Sequence, residues 1–492
     1  MFGMGNKVSN GVMRHLGMLM LIGLAMGCAS SSVSQAPRPA ERDDGAPVSF
    51  SGEVYLVATA EEALARRIHA IRQARQTVDL TYFTWTYDVS GLLMLDALML
   101  AAERGVQVRI LLDDLLVFDD HWLVEIDRHP NIQIRLFNPF TQRKGGWMAR
   151  SVEFAGQTAR LNHRLHQKYF AVDRDWLILG GRNIGDDYFG YHKKANFFDL
   201  DVIVKGPVGE AFADNFTRLW RAPKSRPVTQ VIAWQKGAQT YGSRFADYRA
   251  ENAILIQRVE AAVGRLAAPV FVSATLTPLF DNPDKAEAPK AAFRHRVERF
   301  LAEADRPQRT ALVSTPYMLP TGEEFEAMSG FRERGAEVTL LTNSMASNDS
   351  AFVAAYYNRY RKPLLEMGLN IYEYDSQAYH PDYQFHRQTY YHNKAFILDR
   401  TLTYIGSSNF DPRSDNLNLE LGLMVESDAF AADLEHYLLT GQRGNYWQAV
   451  LTGEGKVEWH KGGQRRTSNP NTHPLHALPD WLYRRLNFKS EL

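Results

Sequence analysis

Two stretches of this chain carry the same spaced residues, and few folds accommodate such a repeat. His166, Lys168 and Asp173 follow the pattern H-x-K-x-x-x-x-D, with Gly180 and Asn183 behind them. His392, Lys394 and Asp399 repeat it, followed by Gly406, Ser407 and Asn409. Each matched pair from His to Asn lies 226 positions apart. The apolar runs Tyr169 to Val172 and Ala395 to Leu398 read as strands. Side chains two apart on a strand share a face, so His166 and Lys168 point the same way, as do His392 and Lys394. Second strands, Trp176 to Leu179 and Leu402 to Ile405, end in Gly-rich turns that present Asn183 and Asn409. A single copy of the pattern is a weak signal. Two copies with the same extension point to duplicated halves that pool two imidazoles and two ammonium groups in one site.

The flanking sequence supports duplication. Strands are expected at Thr77 to Phe83 and Val106 to Leu112, with an amphipathic helix, Gly91 to Arg104, between them. The second half repeats that order with strand Thr310 to Thr315, helix Glu323 to Arg334 and strand Ala336 to Thr342. Gly105 and Gly335 each follow Glu-Arg and supply the left-handed residue that ends a helix. Strands alternating with helices predict an α/β fold of two pseudo-symmetric halves. Each half is expected to be a mixed sheet flanked by helices, with one active site at their interface. Downstream, Asp199-Leu200-Asp201 is matched with Asn418-Leu419-Glu420.

Composition narrows the class. The 492 residues allow two domains or one large pseudo-symmetric body. Fifty-six basic side chains balance fifty-six acidic ones, so no nucleic-acid partner is expected. The single cysteine, Cys28, closes an N-terminal pattern: Lys7, Arg14 and His15, then an apolar run from Leu16 to Gly27. That run is short for a membrane span and reads as a signal peptide; an uncleaved N-terminal anchor is the alternative. Leu24-Ala25-Met26-Gly27-Cys28 resembles a bacterial lipobox, which implies cleavage before Cys28 and lipidation of its sulfur. The expected boundaries are a lipoprotein signal peptide (1–27), a flexible tether (28–50), half one (51–228), a connector (229–300), half two (301–450) and a tail packing on the body (451–492). The expected location is the bacterial cell envelope, lipid-anchored and facing the periplasm, on the outer membrane rather than the inner.

From about residue 50 onward the chain resembles the phospholipase D superfamily, and within it bacterial cardiolipin synthases. The residues that carry this are the two signatures with Gly180-Gly181-Arg182-Asn183-Ile184-Gly185-Asp186 and Gly406-Ser407-Ser408-Asn409-Phe410-Asp411-Pro412-Arg413-Ser414. Phe137-Asn138-Pro139-Phe140 and the closing Lys489-Ser490-Glu491-Leu492 look like the type C branch. Gly181 departs from the family, which often has serine there.

The resemblance implies a phosphodiester exchange without metal or other cofactor. One histidine attacks phosphorus and becomes a phosphohistidine. The other protonates the departing alcohol and then deprotonates the incoming one. It assigns His166 as nucleophile and His392 as acid/base, with Lys168, Lys394, Asn183, Ser407 and Asn409 receiving the phosphate oxygens. A nucleophilic imidazole needs its far nitrogen held by an acceptor. Glu420, 28 residues after His392, is expected to orient His392, and Asp201 to orient His166. Asp173 and Asp399 complete the candidate catalytic set, but an anion beside a phosphate is repelled, so they read as structural acceptors. The implied activity is phosphatidyl transfer from phosphatidylglycerol or phosphatidylethanolamine to phosphatidylglycerol, giving cardiolipin. Phospholipid substrates and a membrane surface are then the partners. Hydrolysis of phospholipid or nucleic acid by the same site, or a non-catalytic lipid-binding lipoprotein, are the alternatives.

Three further segments have two readings each. Tyr82-Phe83-Thr84-Trp85-Thr86-Tyr87 is either a core strand or a headgroup contact. Arg143-Lys144-Gly145-Gly146-Trp147 is either a solvated loop or a bilayer contact, and Trp481 with Arg484 and Arg485 invites the same choice.

Overall fold

A computed structural model describes residues 47–118, 120–234, 241–286, 297–298 and 309–472. The signal peptide, Cys28, most of the tether and the tail beyond residue 472 lie outside the described residues. In the first half the strands are β1 (Phe50–Val57), β2 (Thr77–Tyr82), β3 (Gln107–Asp113), β4 (Ile132–Phe137), β5 (Tyr169–Val172), β6 (Trp176–Gly180), β7 (Asn196–Phe198), β8 (Asp201–Lys205) and β9 (Ser225–Pro227). Then come β10 (Val272–Phe280), β11 (Thr310–Ser314), β12 (Glu337–Asn343), β13 (Asn370–Tyr374), β14 (Thr389–Tyr391), β15 (Ala395–Leu398), β16 (Leu402–Gly406) and β17 (Leu421–Glu426). The chain closes with β18 (Tyr446–Leu451), β19 (Val457–Lys461) and β20 (Gln464–Arg466).

Hydrogen-bonded neighbours run β4-β3-β2-β5-β6-β8-β1 across the first half. The second half runs β10-β17-β16-β15-β11-β12-β13. These are one order written twice, and antiparallel pairing of β1 with β10 joins them into a continuous mixed sheet. The halves are therefore pseudo-symmetric about the β1–β10 seam. β7 and β14 form a separate parallel pair that ties the halves together a second time.

The β1–β10 seam revises the expected connector. β10 lies inside residues 229–300 yet is the first strand of the second half. Pro278 and Ala274 disguise it, because proline is rare in central strands. Pro278 falls beyond Leu276, the last residue paired with β1, where only β17 runs beside it. Before β10, helix Ala253–Gly264 packs on the first half's helices Ala60–Gln73 and Val89–Glu103, and helix Tyr241–Glu251 reaches the latter through Arg249 and Asp96. The helix Val89–Glu103 is thereby buried around most of its girth, from Val89 to Ala102, and is not amphipathic as expected. Its all-round Leu, Met and Ala content suits that position. Gly105 and Gly335 adopt φ of 95° and 88° at the two predicted helix ends. Beyond β17 the chain adds β18, β19 and β20 to the β13 edge. Among the described residues no helix is long and apolar enough to cross a membrane.

Candidate active site

In both halves the histidine and lysine precede a strand at the carboxyl ends of the parallel strands. Tyr169 opens β5 opposite Thr81 near the end of β2, and Ala395 opens β15 opposite Ser314 at the end of β11. The segments carrying the histidines then cross to the opposite half. The backbone N–H of His166 donates to the Leu419 carbonyl at 3.0 Å, and that of His392 donates to the Phe198 carbonyl at 2.9 Å. The intervening residues point the other way, as strand alternation requires. Gln167 Nε2 donates to the Glu420 carbonyl at 3.2 Å and Asn393 Nδ2 to the Phe198 carbonyl at 3.0 Å.

The carboxylates are exchanged between halves. His166 Nδ1 lies 3.0 Å from both oxygens of Glu420. His392 Nδ1 lies 2.6 Å from Asp199 Oδ2. Two sequence expectations are thus corrected: Glu420 holds His166 rather than His392, and Asp201 holds neither. Asp201 is buried between Arg67, at 2.9 Å, and Arg182, at 3.2 Å. The error was a slip of two residues. Gly180 pairs with Asp201 and Gly406 with Gly422, so Asp199 is the true counterpart of Glu420. A two-residue slip keeps every side chain on its face, so alternation alone could not expose it. Matching the two glycine-ended hairpins strand by strand would have found it.

Other residues missed in the sequence support these carboxylates. Asp281, in the presumed connector, accepts from the Glu420 backbone N–H at 3.0 Å and is paired with Lys285 at 2.7 Å. Ser407 donates its hydroxyl to Glu420 and accepts from Leu421 N–H at 3.0 Å. In the first half Gly181 stands in the serine's place. Aromatic rings wall both imidazoles: Phe83 meets His166 edge-on at 5.3 Å, and Tyr188 and Phe197 flank His392 at 5.5 and 5.1 Å. In the run from Tyr82 to Tyr87, Tyr82 and Trp85 are buried in the core, as a core strand requires, and Phe83 lies against the His166 ring.

Asp173 and Asp399 lie at the far ends of β5 and β15 from the histidines. Each starts a tight turn with two consecutive residues in the left-handed region, at φ 52° and 63° for Asp173 and Arg174 and 53° and 58° for Asp399 and Arg400. Asp173 accepts from the backbone N–H groups of Arg75, Gln76 and Thr77 at 2.7–2.9 Å. Asp399 accepts from those of Arg309 and Thr310 at 2.7 and 3.0 Å. These aspartates fasten the hairpins to the starts of β2 and β11.

The lysines are held by the backbone of their own histidines. Lys168 Nζ donates to the His166 carbonyl at 2.7 Å and Lys394 Nζ to the His392 carbonyl at 2.6 Å. Each ammonium has three N–H groups, so this fixes its direction without exhausting it. Asn183 is committed on both sides, accepting from Thr84 N–H at 3.2 Å and donating to the Tyr188 hydroxyl at 2.9 Å. Asn409 differs: its Oδ1 is buried with no hydrogen-bond partner among the described residues. The asymmetry of the halves thus extends to the asparagines.

Burial sets the charge states. It pushes Lys168 down to about 7 and Lys394 down to about 8, with the carboxylates opposing it. Burial also pushes His166 down to about 4, against Glu420, and holds His392 well below the usual histidine range. Both imidazoles are therefore neutral near pH 7, with Nδ1–H donated to a carboxylate and Nε2 left as the basic nitrogen. The carboxylates diverge. Burial raises Glu420, but His166, Lys168 and the Ser407 hydroxyl outweigh it and hold it at about 2. Burial raises Asp199 to about 6 despite Lys394 and Arg182. His166 accordingly rests on a firmly ionised partner and His392 on a weaker acid's conjugate base. Such a site can attack a phosphorus from one side, receive its oxygens on two ammonium groups and pass a proton on the other.

Residues 67–220 and 300–440 match a family described as "Cardiolipin synthase, PLD-like domain". The chain is 34% identical over 422 residues to cardiolipin synthase C of Escherichia coli strain K12, an alignment spanning 81% of this chain and 86% of that one. It is 25% identical over 419 residues to cardiolipin synthase A of Pseudomonas fluorescens strain SBW25, spanning 84% and 74%. Its backbone is similar to the crystal structure of phosphatidylserine synthase from Haemophilus influenzae, with TM-score 0.59 and 15% identity over 89% of this chain and 94% of that one. At that identity the likeness concerns the fold.

Proposed function

The chain belongs to the phospholipase D-like cardiolipin synthase family, and from that premise we propose that it makes cardiolipin by two successive displacements at one phosphorus. Membership makes it a phospholipase D-type phosphatidyltransferase of phospholipid synthesis. The donor is phosphatidylglycerol or phosphatidylethanolamine, and the acceptor is a hydroxyl of phosphatidylglycerol. The observation that supports this reading is the exchange of carboxylates, which holds the imidazole of each half on a carboxylate of the other, with Lys168 and Lys394 each near enough to lower the basicity of both histidines.

In the first displacement His166 Nε2 forms a bond to phosphorus, and the bond from phosphorus to the headgroup oxygen breaks. Glu420 accepts the Nδ1–H and stabilises the positive charge that the imidazole acquires. His392 gives a proton to the leaving oxygen. His392 is neutral at rest, so it takes up that proton when the phosphodiester anion enters and offsets Lys168 and Lys394, both of which lower its basicity. In the second displacement the acceptor hydroxyl yields its proton to His392, its oxygen bonds to phosphorus, and the P–N bond breaks. The lysines stabilise the extra negative charge of both five-coordinate transition states, each donor contributing about 3–4 kcal/mol.

The envelope location is part of the same proposal. The Cys28 pattern supports it, since a lipid anchor keeps the enzyme where both substrates reside.

The test uses purified full-length protein and phosphatidylglycerol vesicles, read by mass spectrometry. Cardiolipin with released glycerol is expected, together with an acid-labile phosphate on His166 that is trapped by quenching during turnover and absent from His166→Ala. Phosphatidic acid as the sole product would replace transfer with hydrolysis. A phosphate found on residue 392 instead would reverse the two roles.

A further inference from the structure

The helix Gly146–Gly156 turns an apolar side outward. Met148 and Val152 are 79% and 75% exposed and stand four residues apart, hence on one side of the helix. Ala155 is exposed beside them, and Lys144 is exposed just ahead. The opposite side is firmly held. Arg150 is fully buried, donates to the Leu115 carbonyl at 2.6 Å and stacks over Phe118 at 4.0 Å. Trp147 meets the same Phe118 ring at 4.9 Å. The outward side is therefore not a loosely seated helix.

The charges complete the pattern. Residues 141–161 hold four basic side chains and one acid, Glu153. Glu153 is buried and accepts from the backbone N–H groups of Thr141 and Gln142 at 2.9 and 2.8 Å. The solvent side of this segment thus shows methyl groups, a thioether and an ammonium, with no carboxylate. That combination complements the interface of an anionic bilayer, where apolar side chains enter the acyl boundary and cations meet phosphates.

The helix is also coupled to the site. Asn138 Nδ2 donates to the Arg160 and His163 carbonyls at 2.7 and 2.9 Å, and Asp113 accepts from Leu165 N–H at 2.7 Å. This pins the chain between the helix and His166. The corresponding stretch of the second half, 375–394, contains no helix. The device therefore breaks the twofold symmetry and marks one side of the molecule.

We propose that Gly146–Gly156 lies in the surface of an anionic phospholipid bilayer and delivers lipid to the His166 side of the site. The inference rests on the phospholipid reading above. Its first test does not need turnover. Full-length chain carrying Cys28→Ser and Val152→Cys receives a nitroxide at position 152. On phosphatidylglycerol vesicles the label is expected to become accessible to oxygen and shielded from aqueous nickel, and on phosphatidylcholine vesicles to stay aqueous. A label that stays aqueous on both overturns the proposal, whatever the enzyme does. The second test compares Met148→Asp/Val152→Asp with the parent chain. Turnover of vesicular phosphatidylglycerol is expected to fall at least tenfold, while turnover of monomeric short-chain phosphatidylglycerol is unchanged. Equal rates on vesicles would also overturn the docking role. Absence of turnover by the parent chain would strike the enzymatic reading alone.

Discussion

Gly181 and Asp199 occupy each other's space: a Cβ built on Gly181 would stand 2.3 Å from Asp199 Oδ1. The same carboxylate accepts from Leu200 N–H at 2.8 Å and holds His392. In the second half the equivalent position is Ser407, whose hydroxyl donates to Glu420. The departure from the family's usual serine is thus coupled to the shorter carboxylate opposite it. One half uses Ser with Glu, and the other Gly with Asp.

Gly181→Ser should therefore damage chemistry more than folding. The new side chain displaces Asp199 from His392, and a mispositioned acid/base group costs on the order of 10²-fold. We expect kcat to fall by about that factor with thermal unfolding nearly unchanged. A variant as active as the parent would show that Asp199 can move without consequence.

The exchanged carboxylates give a sharper contrast. Glu420→Gln should lower kcat by on the order of 10²- to 10⁴-fold, because it removes the charge that stabilises the His166 imidazolium. Asp201→Asn should instead destabilise the fold, since it leaves Arg67 and Arg182 buried without their anion. Breaking such a pair costs about 3–5 kcal/mol. Calorimetry and single-turnover phosphorylation separate the two. Slow phosphorylation in well-folded Asp201→Asn would restore Asp201 as the His166 partner.

The lysines predict a basic limb in the pH profile. Burial holds Lys168 near 7 and Lys394 near 8, so raising pH removes charge from the free enzyme. kcat/KM reports the free enzyme, so it should fall as pH rises through about 7–8. kcat should hold to higher pH, because bound phosphodiester favours the charged ammonium. A kcat/KM that stays flat up to pH 10 would contradict this.

Asp173 and Asp399 belong to the signature, yet their carboxylates accept from backbone N–H groups at the far ends of β5 and β15. Asp173→Ala leaves three backbone N–H groups without their acceptor and should cost about 1–3 kcal/mol of stability. The kcat of the fraction that stays folded should remain within a few-fold of the parent, measured at a temperature where the variant is folded. A loss of several orders of magnitude there would place Asp173 in the reaction.

The sequence alone determined the duplicated fold, the two histidines, the two lysines and the hairpins that present them. Those features are local, since residue spacing within one strand and turn fixes which side chains share a face. It also carried β10, but Pro278 and the alanines around it hid a strand whose place depends on where β1 stops. The tertiary structure decided which carboxylate holds which imidazole, because the partners lie 254 and 193 residues apart and meet only when one half packs on the other. It decided the charge states for the same reason. A lysine loses its proton near neutrality only when surrounding chain, drawn from both halves, has excluded the water that would solvate its charge.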